Sequence, residues 1–329
     1  MIRFFRNSYL IQYVAIALLC IALWVPSFIM GNVDSALRSP VTPLYNLLAD
    51  MLDFWPPAMM IFAMVLMGFE AAFFNSVLTS NQIIGKVNTL GAVMFLLLMN
   101  LFPAQTTFYP FLIASVFVLM FIHTLFTIYQ TQRPETYLLN AGFYLAFATM
   151  CWFPSILLAI WGVIGLGIIH KGSLRYHLIP IVGLLLPYFF YFSAHYLMGD
   201  LLETLAVYGD YFSGFRLSVE GFSWLKIAVI GFLLLALLMP LLNAGNYAFE
   251  KSVAVRTKIA MTYNLMLMGV FMLFLEGDPT QSGVLFIALS ILFSYDIAYV
   301  ERLRWPNITL IVLLVFVLAM HYVPLFVAP

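Results

Sequence analysis

Charge is scarce in this chain: 14 Lys and Arg and 14 Asp and Glu among 329 residues make 9%, with a formal net charge of zero, against roughly 25% charged residues in soluble domains. That balance offers no basic surface field, so no nucleic-acid partner is expected. Cysteine is rarer still. Cys20 and Cys151 lie far apart in apolar stretches, which excludes a disulfide framework or a C-x-x-C pair and leaves them as small packing residues. The five histidines, at 123, 170, 177, 195 and 321, are scattered and make no H-E-x-x-H. No Walker loop and no G-x-S-x-G elbow occurs either. No metal or cofactor is assigned. Polar stretches long enough for a soluble domain are missing as well, so a single membrane-embedded domain over 1–329 is the simplest division.

Apolar residues fill the space that charge leaves: 64% of the chain is hydrophobic. They gather into eleven candidate spans, at 10–30, 57–78, 90–102, 109–129, 137–152, 154–169, 178–198, 224–242, 259–275, 283–298 and 308–327. The fold class expected is all-α and polytopic, with about eleven transmembrane helices, several of them short or broken. The first span follows Arg3 and Arg6 and reads as uncleaved, because its apolar run is too long for a signal-peptide core.

Placing the N-terminus inside collects Arg3, Arg6, Lys86, Arg133, Lys171, Arg175, Lys251, Arg256, Lys258, Arg302 and Arg304 on inner segments and leaves only Arg38, Arg216 and Lys226 outside. Eleven against three is a strong positive-inside bias, because basic side chains near span ends stay cytoplasmic. The bias also arbitrates an ambiguity, because 137–170 reads either as one helix kinked at Pro154 or as two short helices. One helix would invert everything downstream and change the tally to six against eight. Two helices are therefore preferred, with the N-terminus in and the C-terminus out. Segment 90–102 falls short of the ~20 residues a 30 Å core needs, and is expected to be re-entrant or to thin the bilayer.

Two outer segments, 31–56 and 199–223, are acidic. In the first, Leu44, Leu47, Leu48, Met51 and Leu52 recur at helical spacing over 42–54, as in a helix lying along a membrane surface. The second sets Asp200, Glu203, Asp210 and Glu220 among Tyr208, Tyr211, Phe212 and Phe215, a mixture suited to a saccharide contact. Acids also accumulate wherever basic residues are excluded, and aromatics form interfacial belts, so a plain surface role stays open.

Within the spans, Glu70 is the one carboxylate well inside, costing at least ~2.5 kcal/mol unless paired, protonated or wet. It is a candidate for proton coupling or for holding a substrate cation, or else a neutral acid bonded to an Asn or Ser of a neighbouring helix. His123, Asn100 and Asn140 read as interhelical hydrogen-bonders. Asp296 with Glu301, Arg302 and Arg304 reads as an ion-pair network at the inner rim. His170, Lys171, Arg175 and His177 form a second basic rim able to attract lipid phosphates or a polyprenyl phosphate.

Residues 73–196 resemble a family of bacterial multipass inner-membrane proteins known only as a domain of unknown function. The resemblance rests on Phe74-Asn75, Leu101-Phe102-Pro103, Asn140-Ala141-Gly142-Phe143, Trp152-Phe153-Pro154, Ile179-Pro180-Ile181-Val182-Gly183-Leu184 and Pro187-Tyr188. It implies no activity. A more distant architectural likeness is to GT-C-type glycosyltransferases, which use polyprenyl-linked sugars and begin with an N-in helix, an outer loop bearing an acid, and surface-lying helices. Asp34 stands four residues after the first span, and 42–54 would be the surface helix. The likeness implies that Asp34 is a catalytic general base or metal ligand for the acceptor; Glu70, Lys171, Arg175, Asp200 and Glu203, read from the residues themselves, are the substrate-binding candidates. The adjacent second acid usual in that family is replaced here by Val33 and Ser35. Three functions are carried forward: an enzyme of envelope glycan or lipid-linked sugar assembly, a noncatalytic subunit anchoring partner membrane proteins, and a transporter. Membrane lipids are partners in all three.

Overall fold

The computed structural model describes residues 1–7, 9–30, 39–85, 88–129, 131, 133–169, 173–214, 231, 252–275, 283–300 and 304–327. Thirteen α-helices and no strand are found among them: α1 Ile2–Phe5, α2 Leu10–Met30, α3 Pro43–Leu52, α4 Pro56–Ser80, α5 Leu90–Met99, α6 Pro110–Ile128, α7 Glu135–Cys151, α8 Leu158–Ile168, α9 Leu174–Met198, α10 Leu201–Ser213, α11 Val253–Leu275, α12 Val284–Tyr299 and α13 Arg304–Val327. Short 3₁₀ turns lie at Pro103–Gln105 and Phe153–Leu157. Six helices are long and apolar enough to cross a membrane, Leu10–Met30, Pro57–Ser80, Pro110–Ile128, Leu174–Met198, Val253–Phe274 and Arg304–Leu325. The expected span 224–242 lies outside the described residues.

Two short apolar helices form the centre. Every residue of α5 is buried, as is every residue of α12 from Val284 to Ile297, and the two pack on each other, with α4 against α5 and α11 against α12. Neither carries a polar stripe that would hold one face to water, and a short helix in lipid would expose unpaired backbone at its ends. Burial in protein removes that cost for α5. Asn88 Oδ1 accepts from Leu90 N at 3.2 Å, Asn75 Nδ2 donates to Asn88 O at 2.7 Å, and Thr89 N and Oγ1 both donate to Phe5 O at 3.0 and 3.2 Å. At the other end, His321 Nε2 lies 2.8 Å from Asn100 O, and Asn100 Nδ2 donates to Leu96 O at 2.8 Å.

Hydrogen bonds between distant segments sort the bundle into two ends. At one, Ile2 N donates to Asn307 Oδ1 (3.1 Å), Arg6 to Ile297 O and Val300 O (2.7 and 3.0 Å), and Lys258 Nζ to Asn81 O (2.7 Å). At the other, Ser27 meets Thr106, Tyr45 donates to Phe108 O (3.2 Å) and Tyr322 to Ala22 O (2.9 Å). Following the helix directions, all seven described basic residues, Arg3, Arg6, Arg133, Arg175, Arg256, Lys258 and Arg304, lie at or beside the first end. Five of the eight described acids, Asp50, Asp53, Asp200, Glu203 and Asp210, lie at the second. The two are called the basic and acidic ends below.

The break at Trp152–Leu157 separates α7 from α8, so 137–170 is two helices. Trp152 is extended at its C-cap, and Pro154 cannot continue the preceding helix. Helix α7 then meets α9 at very close range. A Cβ on Gly142 would stand 2.1 Å from Pro180 O, and one on Gly183 would stand 2.4 Å from Leu139 O, so glycine at both positions lets the backbones touch.

Candidate functional site at the acidic end

Helix α9 ends at Gly199, whose φ of 87° is a left-handed conformation open to glycine at little cost. Its N–H bonds His195 O at 3.0 Å, and Asp200 N bonds the same carbonyl at 3.2 Å, closing the helix as a glycine C-cap does. The reversal swings Asp200 back over the last turn. His195 Nδ1 then lies 3.0 Å from both Asp200 oxygens and 3.3 Å from Thr204 Oγ1, while Thr204 Oγ1 donates to Asp200 O at 3.1 Å. With Nδ1 held by the carboxylate, Nε2 is the imidazole nitrogen left to take or give a proton. Nothing is bonded to it among the described residues.

Helix α10 starts at that turn and lies across the acidic end. It buries Tyr208 and exposes Leu202, Leu205 and Phe212 beside the exposed acids Glu203 and Asp210, the division of a helix in a membrane interface. Helix α3 does the same, exposing Leu47 and Met51 and burying Tyr45 and Ala49, and α3 packs on α7. The two outer segments meet. Tyr208 reaches Val41 O, and Val41 shares a small apolar core with Ala146, Met150, Phe153, Tyr188 and Tyr208. Phe153, turned out by the break after α7, stands edge-on to Tyr208, Tyr211 and Phe212 at 5.5, 5.2 and 5.1 Å. Tyr191 stands edge-on to His195 at 4.6 Å. Tyr188 donates to Thr149 Oγ1 at 2.9 Å. Burial pushes the Tyr208 phenol above its ordinary range, and the neighbouring Tyr188 and Tyr191 add to the shift, so it stays a donor.

The sequence-derived candidates do not converge on one place. Asp200 and Glu203 share the acidic end. Arg175 stands at the start of α9, 3.6 Å from Glu135 and the length of a 25-residue helix away, about 37 Å at ~1.5 Å per residue. Asp34 and Lys171 lie outside the described residues, as do His170, Glu301 and Arg302. Ser39 is tied down by Thr42 Oγ1 and Asn46 Nδ2, which donate to Ser39 O at 2.9 and 2.7 Å.

Glu70 is fully buried in the middle of α4, with Oε1 2.7 Å from Ser115 Oγ on α6, the neighbouring-helix Ser the sequence allowed for. His123 pairs with Asn81 at 2.8 Å between α6 and the end of α4. Asn81 O receives Lys258 Nζ, so a buried lysine caps the negative end of α4. Sequence reasoning passed over His195, Ser115 and Lys258 as site residues. Only His195 carried a local signal, namely glycine followed by aspartate at the close of an apolar helix. Among the described residues no three or more His, Cys, Asp or Glu come together as a metal site.

Comparison with family models, with curated proteins and with solved structures finds no match. The site is therefore read from its own geometry.

Proposed function

We propose that this is a bacterial inner-membrane protein of about eleven spans, N-terminus in and C-terminus out, that acts at its periplasmic face in envelope glycan or lipid-linked sugar assembly. The polarity of the bundle supports the orientation, since cytoplasmic segments keep Lys and Arg. The observation that carries the function is the junction of the two outer segments at Val41–Tyr208. It sets an aromatic platform beside Asp200, Glu203 and the His195–Asp200 pair, and it anchors the chain seven residues after Asp34. Aromatic faces take the apolar side of a sugar ring, and carboxylates accept its hydroxyls. Asp34 serves as the acceptor's general base, the role implied by the GT-C likeness. Lys171 and Arg175, a bilayer away, contact anionic headgroups of the inner leaflet. Loss of glycan product at normal protein level in an Asp34→Asn strain supports the proposal, and full product in a null-strain complementation removes it.

One observation favours a second reading as an anchoring subunit. Helix α9 leaves Phe189 and Phe190 about two-thirds exposed along with much of its length, a surface for lipid or for another membrane protein. A stable partner copurified in mild detergent would move the assignment there.

A further inference from the structure

Ser115 has one hydroxyl proton and two neighbours placed to accept it. Its Oγ lies 2.7 Å from Leu112 O and 2.7 Å from Glu70 Oε1. A carbonyl oxygen only accepts, and an ionised carboxylate also only accepts. With Glu70 ionised, two acceptors would compete for one hydrogen in a fully buried place. A neutral Glu70 completes the chain, its own O–H donating to Ser115 Oγ while Ser115 donates to Leu112 O.

The surroundings hold little else that titrates or carries charge. Helix α5, packed on α4, has no titratable side chain. Helix α2 brings Cys20, whose Sγ lies 3.6 Å from Met64 O. Helix α3 brings Tyr45, already donating to Phe108 O, and the exposed Asp50. Helix α6 brings His123, two turns beyond Ser115 and bonded to Asn81. The remaining group is Tyr109, just before α6 and buried. Its hydroxyl and Glu70 Oε2 are both buried with no hydrogen-bond partner among the described residues. Glu70 Oε2 has no donor to meet it, so an ionised carboxylate here would be left short of hydrogen bonds, a cost the neutral carboxyl lowers.

We infer that Glu70 is a proton-binding site inside the bundle, holding an exchangeable proton against Ser115. The site stands apart from the sugar-assembly reading and gives the protein a proton-coupled step whichever substrate it handles.

The test is infrared spectroscopy of the full-length protein in lipid. A carboxylic-acid C=O stretch should be present at neutral pH, vanish in Glu70→Gln, and shift down in D₂O without unfolding. Absence of the band, or its survival in Glu70→Gln, overturns the inference. A band that never shifts in D₂O marks a sealed structural acid and overturns the exchange. Ser115→Ala keeps the carboxyl and removes its acceptor, so the band should move to higher frequency, and an unmoved band overturns the pairing even if Glu70→Gln fails to fold.

Discussion

Gly142→Ala adds one methyl group where the backbones of α7 and α9 touch and should cost far more than its size implies. The new Cβ would stand 2.1 Å from Pro180 O, 2.8 Å from Gly183 Cα and 2.8 Å from Leu184 N. All three are backbone atoms, so no side-chain rotation relieves the contact, and α7 and α9 must separate by about an ångström. Overpacking of this kind costs about 1–3 kcal/mol, and a backbone-on-backbone clash belongs in the upper half of that range. For a chain of this size that lowers Tm by roughly 3–4 °C. Gly68→Ala is the internal control. Gly68 lies inside α4, where a Cβ would meet nothing within 4 Å, so the same substitution should raise stability by roughly 0.5–1 kcal/mol through helix propensity. The assay is thermal unfolding of both variants in one detergent. A Gly142→Ala protein as stable as wild type, or the two variants moving in the same direction, would refute the close-crossing argument. A crossing loosened there should also reduce glycan product, because α9 carries Tyr188, Tyr191 and His195 to the acidic end.

Lys258→Ala removes the donor to Asn81 O and should destabilise by about 1.5–3 kcal/mol, as for other hydrogen bonds made by charged groups. Lys258→Met, which keeps the stem, should recover only the packing part in the same melt. Asp200→Asn preserves shape while no longer fixing the His195 tautomer, and should cut glycan product about a hundredfold or more with Tm nearly unchanged; full product would exclude the pair from chemistry. A reporter fused after Pro329 should be active only in the periplasm, and activity confined to the cytosol would reverse the assignment of both ends.

Patterns repeating over one helix were legible in the sequence. The spacing of Leu44, Leu47, Leu48, Met51 and Leu52 put a surface helix at 42–54, and α3 runs Pro43–Leu52. The charge tally split 137–170 in two, and the chain breaks at Trp152–Leu157. Contacts between distant segments were not legible. Ser115 is an ordinary hydroxyl in an apolar run until the fold sets it on Glu70, 45 positions away. Lys258 reads as one more rim charge, yet it is 1% exposed and spent on a helix end 177 positions distant. Asp200 was singled out for its charge and its aromatic neighbours, and the glycine turn that joins it to His195 was the part overlooked.

The short span at 90–102 shows how a local anomaly in sequence becomes the organising element of a membrane fold. Ten helical residues reach about 15 Å, half a hydrocarbon core, so α5 cannot offer both ends to water. Its terminal groups must be met by protein, and the residues that meet them come from the far corners of the chain: Phe5 before the first span, Asn75 on α4 and His321 near the end of the last. Longer helices must then surround it, which fixes α2, α4 and α13 as neighbours. In the chain leaving α5, Gln105, Thr106 and Tyr109 are buried as well, while Ala104 just before them is exposed. Much of the polar pairing between distant parts of this bundle is therefore what meets the ends of one helix too short to reach water.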